Sequence, residues 1–431
     1  MKRLCSLLIL FLPLITSAQV TINLRSAIDT TLKNNFDIQI AANNLEISKI
    51  NNTTGVAGGL PLVTASASDN QSVTNVYQKL NTGSEITKNN ANGNTLISNL
   101  SAGMLLFNGF RVVATRERLD RLQQQSEIEL NLQIQNTIAE VMAKYFDIVR
   151  QQNYLKIIRT SLDVSQNKLE IVTERKNLGM ANDADYLQAL IDVNSAEQNF
   201  KIQQLVVDQT KTELLQLMSI KHYYPFTVDD SIVVDKSLQL NTILAFHQKN
   251  PQYLAAEQQV KINEQIVKEV AALRYPSLRI NTGLNFNRSQ SDAGLTLVNQ
   301  NSGPYAGLTL QVPIYNGNAY KVQKQTAVYN VSNAKLQQQN LLNALTAGAI
   351  KTYQSYSTTL QQLNSQENSV ELSGKLINVV MQRFRVNQAT ILEVKAAQAS
   401  FENTGYQLVN LNYAAKIAEI ELKRLMYQLG E

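Results

Sequence analysis

The sequence predicts a mainly α-helical protein that also carries membrane β-strands, built from one strand–strand–long-helical-hairpin unit used twice. Three observations lead there. Two helical stretches run far beyond ordinary length. Short segments alternate apolar and polar residues as barrel strands do. The same landmarks recur about 210 residues apart.

The first long stretch, Arg111–Leu178, has no Gly or Pro over about 65 residues, so nothing in it interrupts a helix. At a rise of 1.5 Å per residue it would be roughly 100 Å long. Ile138, Val141, Tyr145, Ile148, Leu155, Ile158, Leu162, Leu169 and Val172 follow one another at helical spacing, the seam of a coiled coil. Gln, Asn, Glu, Lys and Arg fill the remaining faces. A second such stretch begins near Ala319.

The chain opens on Lys2 and Arg3, an apolar core Leu4–Ile15, and Thr16-Ser17-Ala18 before Gln19. Residues 1–18 read as a secretory signal peptide. Cys5, the one cysteine, leaves with it, so the mature chain has neither disulfide nor thiolate metal site. The chain has 39 Lys and Arg against 34 Asp and Glu, and losing Lys2 and Arg3 leaves an excess of three. That is no nucleic-acid footprint. No later run of some 20 apolar residues exists, so a membrane would be crossed by strands.

Residues 19–220 form the first structural repeat. Asn23–Gly55 is helical in pattern, and strands are expected at about 62–72 and 96–107. Leu96, Leu100, Ala102, Met104 and Leu106 share one face of the second strand, and polar Thr74–Asn94 reads as a loop. Asn108-Gly109 turns into the helical hairpin 111–220, which bends at Gly179. Residues 221–240, with Pro225, are a connector.

Residues 241–431 repeat the plan. Asn35 matches Asn250 and Leu60-Pro61 matches Tyr275-Pro276, both at an offset of 215. From Phe107-Asn108-Gly109 and Tyr315-Asn316-Gly317 onward the offset is 208, as for Arg175 and Arg383. The change falls between paired strands, where loops absorb insertions. Strands are expected at about 278–288 and 305–314, and a hairpin over 318–429. Leu278, Ile280, Leu284 and Phe286 alternate with polar residues or Gly, as do Ala306, Leu308, Leu310, Val312 and Ile314. Four strands cannot close a barrel, for which about eight are usual, so several chains would pool theirs. Phe107, Phe286, Tyr305 and Tyr315 stand at strand ends, as residues of an aromatic girdle or of ordinary packing at the barrel base.

The chain resembles the TolC family of outer-membrane efflux proteins. The resemblance rests on the duplicated layout, on Leu60-Pro61-Leu62 and Tyr275-Pro276-Ser277-Leu278 before the first strand of each half, and on Leu106-Phe107-Asn108-Gly109 and Val312-Pro313-Ile314-Tyr315-Asn316-Gly317 after the second. It rests also on the tip Arg175-Lys176-Asn177-Leu178-Gly179-Met180-Ala181.

It implies a homotrimer in the outer membrane of a Gram-negative bacterium. Three chains would make a twelve-stranded β-barrel and a twelve-helix periplasmic tunnel. A periplasmic adaptor (membrane fusion protein) would join that tunnel to an inner-membrane transporter. The implied function is the passive export duct of a tripartite efflux pump or type I secretion system.

The resemblance also implies a pore constriction lined by Asp183, Asp185 and Glu393. The plainer reading makes the two Asp helix-capping residues and Glu393 part of a solvated face. The family's further acidic position is Ala396 here, and its locking Arg and Tyr correspond to Ala389 and Phe384. Docking tips are implied at Arg175, Leu178, Gly179 and Met180, and at Arg383, Val386, Asn387 and Gln388. Gly179 would equally serve as a plain helix stop.

No catalytic set is evident. His222 and His247 are the only histidines, too few for a zinc cluster or a Cys–His pair. No phosphate-binding Gly loop appears. The sequence predicts no enzyme and no cofactor. The competing reading is a periplasmic coiled-coil adaptor or scaffold without a pore, which would lack the two pairs of lipid-type strands. A coiled-coil adhesin fits the duplication poorly.

Overall fold

The computed structural model of the protein describes residues 20–229 and 231–429. The segment read as a signal peptide lies outside them. In chain order the elements are β1 (Val20–Ile22), α1 (Leu24–Asn34), α2 (Phe36–Asn51), β2 (Leu62–Lys79), β3 (Glu85–Phe107), α3 (Arg111–Asn177) and α4 (Asp183–Leu217). Then come β4 (Phe226–Val228), α5 (Leu240–Phe246), α6 (Pro251–Ala272), β5 (Ser277–Ser291), β6 (Val298–Gln311), α7 (Ala319–Arg385) and α8 (Ile391–Leu425).

The halves match down to backbone conformation. Helices α3 and α7 each have 67 residues, and α4 and α8 each have 35. Left-handed residues recur in pairs 208 apart: Gly109 and Gly317, Phe110 and Asn318, Gly179 and Asn387, Ser219 and Tyr427. Such conformations are costly for non-glycine residues, so their repetition marks turns that the duplicated unit needs.

The chain divides into two units. One holds Leu132–Asn250 with the terminal portions, to Gln39 and from Ala344; the other holds Ile40–Asn131 and Pro251–Asn343.

In the second unit β2-β3-β5-β6 form one antiparallel sheet. Its register sorts the side chains. Leu100, Leu284 and Pro304 stand in line across three strands, as do Ala102, Thr282 and Ala306, then Met104, Ile280 and Leu308. Cross-strand partners share a face, so this face is largely apolar. The other carries Ser101, Gly283 and Tyr305, and beside them Gly103, Asn281 and Gly307. From Leu278 to Phe286 the apolar row of β5 covers about 26 Å along the strand at 3.3 Å per residue, close to the apolar band of an outer-membrane barrel. Strands β2 and β6 are free edges among the described residues.

Three strand-level readings need correction. Thr74–Asn94 is not a loop: β2 runs to Lys79, β3 starts at Glu85, and the turn at Leu80–Ser84 closes on Leu80 N–H donating to the Ser84 carbonyl at 2.9 Å. Backbone pairing needs no apolar face, so this polar hairpin remains strand. Leu106 has no cross-strand partner and so is not a regular member of the apolar row. A bulge between Leu105 and Phe107 places Phe107 opposite Leu278, because the extra residue flips the alternation. Strand β6 ends at Gln311, ahead of Pro313, which has no N–H to pair. Tyr305 stands on the polar face over Gly283, so of its two readings ordinary packing is the one that fits.

The first unit holds two apolar clusters. One joins Ile138, Val141, Tyr145 and Ile148 of α3 to Leu214 of α4, Ile420 of α8, and Phe226 and Val228 of β4. Strand β4, in the expected connector, pairs in parallel with β1. Tyr145 ties the two strands, donating to the Ile22 carbonyl at 3.3 Å and accepting from Asp229 N–H at 3.1 Å. The second cluster gathers Ile171 and Val172 with Ile377, Val380, Phe384 and Val394. No helix among the described residues is long and apolar enough to cross a membrane.

Candidate functional site

The tips of both helical hairpins lie in the first unit and are built alike. In the first, Gly179 N–H donates to the Lys176 carbonyl at 2.9 Å and Met180 N–H to that of Arg175 at 2.7 Å. In the second, Asn387 N–H donates to Phe384 at 3.1 Å and Gln388 N–H to Arg383 at 2.8 Å. Both are helix ends closed by a left-handed residue. Asn387 fills the role that Gly179 has, as Asn can.

Each returning helix is capped three residues before an acid. The Asn182 side chain accepts from Asp185 N–H at 2.7 Å. Thr390 and Glu393 form a reciprocal capping box, with Thr390 N–H on the Glu393 carboxylate at 2.7 Å and Glu393 N–H on the Thr390 hydroxyl at 3.2 Å. The Thr390 backbone and hydroxyl bonds hold the Glu393 carboxyl below its ordinary range. Asp185 and Glu393 thus occupy equivalent positions on α4 and α8.

A cleft of about 430 Å³ joins the two tips. Asp185 and Glu393 line it, with Arg175, Met180, Asn387, Gln388 and Phe384. Asp183 is absent from that lining. It points to solvent and pairs with Lys176 at 2.8 Å, whose hydrogen bond and charge lower its carboxyl pKa.

Of the expected docking residues, Leu178, Met180 and Val386 are 74%, 62% and 63% exposed. Three bare apolar side chains beside tight turns make a surface that another chain can approach. Arg175 turns inward instead. Its guanidinium lies 4.6 Å from the centre of the Phe384 ring and donates to the Phe384 carbonyl, clamping one tip to the other. Arg383 donates to the Gln388 carbonyl at 2.8 Å and stands 4.0 Å from Glu393.

Sequence reasoning missed the polar seam above the tips. Lys168 of α3 is 1% exposed and meets Asp192 of α4 at 2.5 Å. Lys395 of α8 reaches the same carboxylate at 3.4 Å, and Gln188 donates to it at 2.9 Å. Further along, Gln398 donates to Ser165 Oγ at 3.1 Å, and Ser161 donates to Glu402. The signal was available: Ser161, Ser165, Lys168 and Val172 follow the 4, 3, 4 spacing of a seam. Among the described residues no group of three or more His, Cys, Asp or Glu could hold a metal ion.

The family model described as outer membrane efflux protein matches residues 27–219 and 245–426, one match for each half of the duplication. The outer membrane protein TolC of Escherichia coli (strain K12) is 19% identical over 354 residues, covering 79% of this chain and 71% of TolC. TolC of Vibrio cholerae is 22% identical over 313 residues, with 69% of each chain covered. Among solved structures, VceC of Vibrio cholerae superposes with a TM-score of 0.74 at 17% identity, over 94% of this chain and 95% of VceC. The outer-membrane channel OprN gives 0.77 at 15% identity, over 94% and 90%. At such identities these structures establish the fold.

Proposed function

The chain belongs to the outer membrane efflux protein family, and from that premise we propose how this outer-membrane channel works: three copies close a duct, and partners drive export through it. The observation that carries this is the open four-stranded sheet. One face is apolar, the other is rich in Asn, Ser, Thr and Gly, and both edges, β2 and β6, are unpaired among the described residues. In lipid an unpaired edge is prohibitively costly, and closure needs about eight strands. Three copies supply twelve, with apolar faces to lipid and polar faces to a water-filled lumen.

The helices of the first unit support the same reading. Helix α3 bonds to α4 through Lys168 and Asp192 and to α8 through Ser161 and Glu402, and α8 bonds to α7 through Thr404 and Ser373. Helices α4 and α7 are then the outer members. Each presents exposed apolar side chains, Leu187, Ile191, Ile202 and Leu205 on α4, and Leu372, Leu376 and Val379 on α7. In the trimer α4 of one chain packs against α7 of the next.

Asp185 and Glu393 ring the constriction, with Asp183 at its rim. Leu178, Gly179, Met180, Val386, Asn387 and Gln388 meet the periplasmic adaptor, while Arg175 and Arg383 brace the turns from within. An inner-membrane transporter supplies the energy.

The test is cross-linking of cysteines on the two edge strands. The mature chain carries no cysteine, so Ala65→Cys in β2 can be combined with Pro304→Cys, Ala306→Cys or Leu308→Cys in β6, all on the apolar face. Oxidation in membranes is expected to give a ladder that ends at the trimer for at least one pair. Monomer alone for every pair, in a protein that alkali extracts from membranes, would sink the reading.

A further inference from the structure

Charge is distributed unevenly along the sheet. At its far end, beyond the apolar band, Lys79 pairs with Glu85 at 2.7 Å. Lys88 and Arg288 stand there with Asp69 and Asp292, so the charges balance. The end that joins the helices differs. Leu105–Arg118, Lys268–Ile280 and Gln311–Lys324 hold eight Arg and Lys and only two Glu. Both Glu are taken: Glu117 pairs with Lys268 at 3.5 Å and Glu269 with Arg118 at 2.6 Å. Arg111, Arg116, Arg274, Arg279, Lys321 and Lys324 have no ion-pair partner among the described residues.

Of these, Arg279 lies on the polar face beside Gly103 and Arg116 buries one guanidinium nitrogen, whereas Arg111, Arg274 and Lys321 are exposed, near bare apolar groups in the chain. Phe110 is 71% exposed, Tyr315 79% and Ile314 94%. A cleft of about 150 Å³ opens here, lined by Arg111, Asn108, Tyr275, Ser277, Gln311 and Tyr320. It lies at the foot of the apolar band, where Leu278 and Leu310 face each other. A row of cations bordering a lipid-facing band, with exposed aromatics between, matches a phospholipid interface: rings at headgroup depth, guanidinium and ammonium groups on phosphate.

We propose that this end of the sheet is a basic collar that selects anionic phospholipid headgroups from the leaflet beside the helices, with Arg111, Arg274 and Lys321 as its contacts. The proposal rests on the membrane reading above. The charge-balanced far end makes no such selection, so the collar fixes the depth and orientation of the barrel by binding one leaflet.

The sequence has no Trp, so Tyr315→Trp is a local reporter in the full-length protein in vesicles. Quenching by brominated phosphatidylglycerol is compared with quenching by brominated phosphatidylcholine. One cation near an anionic surface is worth about a five-fold preference, so at least that preference for phosphatidylglycerol is expected. It should fall to parity in Arg111→Gln/Arg274→Gln/Lys321→Gln and weaken in high salt. Parity in the protein with its collar intact would overturn the proposal. So would a preference that survives the triple substitution, or one as large at Tyr77→Trp at the far end. Leu284→Trp, inside the apolar band, should be quenched equally by both lipids; if neither quenches it, the membrane reading falls too.

Discussion

Asn250 repeats the bond that Asn35 makes in the other half of the chain. Asn35 donates its side-chain amide to the Leu217 carbonyl, the last residue of α4, at 3.3 Å. Asn250 donates to the Leu425 carbonyl, the last residue of α8, at 3.1 Å. Both residues are buried. Helix ends leave carbonyls without an intrahelical partner, and each asparagine satisfies one from the start of its repeat. The bond therefore closes each repeat by tying its beginning to the end of its long hairpin.

Replacing either donor should strand a buried carbonyl. Asn35→Asp keeps the oxygen that caps α2, which accepts from Asp37 N–H at 2.9 Å, and puts an acceptor oxygen, charged when ionised, in place of the donor. Loss of a buried partner costs about 1–3 kcal/mol. Asn35→Asp and Asn250→Asp are each expected to lower stability by that amount in denaturant titrations followed by circular dichroism. Wild-type midpoints for both would show that the closure contributes nothing.

Lys168 and Asp192 should behave as a unit. Burial raises the pKa of the Asp192 carboxyl, but the hydrogen bond and charge of Lys168, with Gln188 and Lys395, outweigh it and hold the group below its ordinary 3.8. Asp192→Leu leaves the Lys168 ammonium buried without its carboxylate, at a cost of about 3 kcal/mol. Adding Lys168→Met should recover most of that loss, since replacing both members of a buried pair is often neutral. The folded-state pKa is depressed, so the pair's stabilisation is present above pH 3.8 and lost as pH falls through the lower folded value. The double variant should therefore lose less stability than wild type below pH 3.8. Additive single and double losses would refute the coupling.

Much of this was legible in the sequence, and the failures have physical causes. Strands β5 and β6 were readable because Leu278–Phe286 and Ala306–Leu310 alternate two chemically distinct faces. The outer part of the β2–β3 hairpin was not, because Asn75, Gln78, Thr87 and Asn89 give neither face an apolar signature. Leu106 misled because it is itself the unpaired residue of a bulge, which strict alternation does not foresee. The tips were located through Gly179 and the repeat. That Arg175 faces inward could not be foreseen, because an arginine in a turn is equally plausible in water or over a ring. The Lys168–Asp192 pair was hidden because a seam search that counts only apolar residues passes over a lysine.

The carboxylates at the tips can be neutralised without uncapping their helices. Glu393→Gln preserves the capping box, which accepts either residue, and the Asn182 cap of α4 does not use the Asp185 carboxylate. Asp185→Asn with Glu393→Gln should leave the helices intact and reduce cation selectivity and multivalent-cation block in planar bilayers, because rings of charge set ion preference. Unchanged selectivity in a folded trimer would place these groups outside the conduction path.

Two glycines on the polar face of the sheet should respond in opposite ways to one added methyl. A Cβ at Gly283 would stand 2.3 Å from the Leu100 carbonyl oxygen and 2.9 Å from the Tyr305 ring. The first neighbour is backbone of the paired strand β3, which can yield only by moving away. At Gly307 nothing lies within 4 Å of the added atom. Both positions lie on the same face, so the comparison separates crowding from polarity. Gly283→Ala is expected to cost about 1–3 kcal/mol through overpacking, lowering the temperature at which the assembled form dissociates on semi-native gels. Gly307→Ala should match wild type. Equal behaviour would mean that β3 and β5 do not approach as closely at Leu100 and Gly283 as the barrel wall requires.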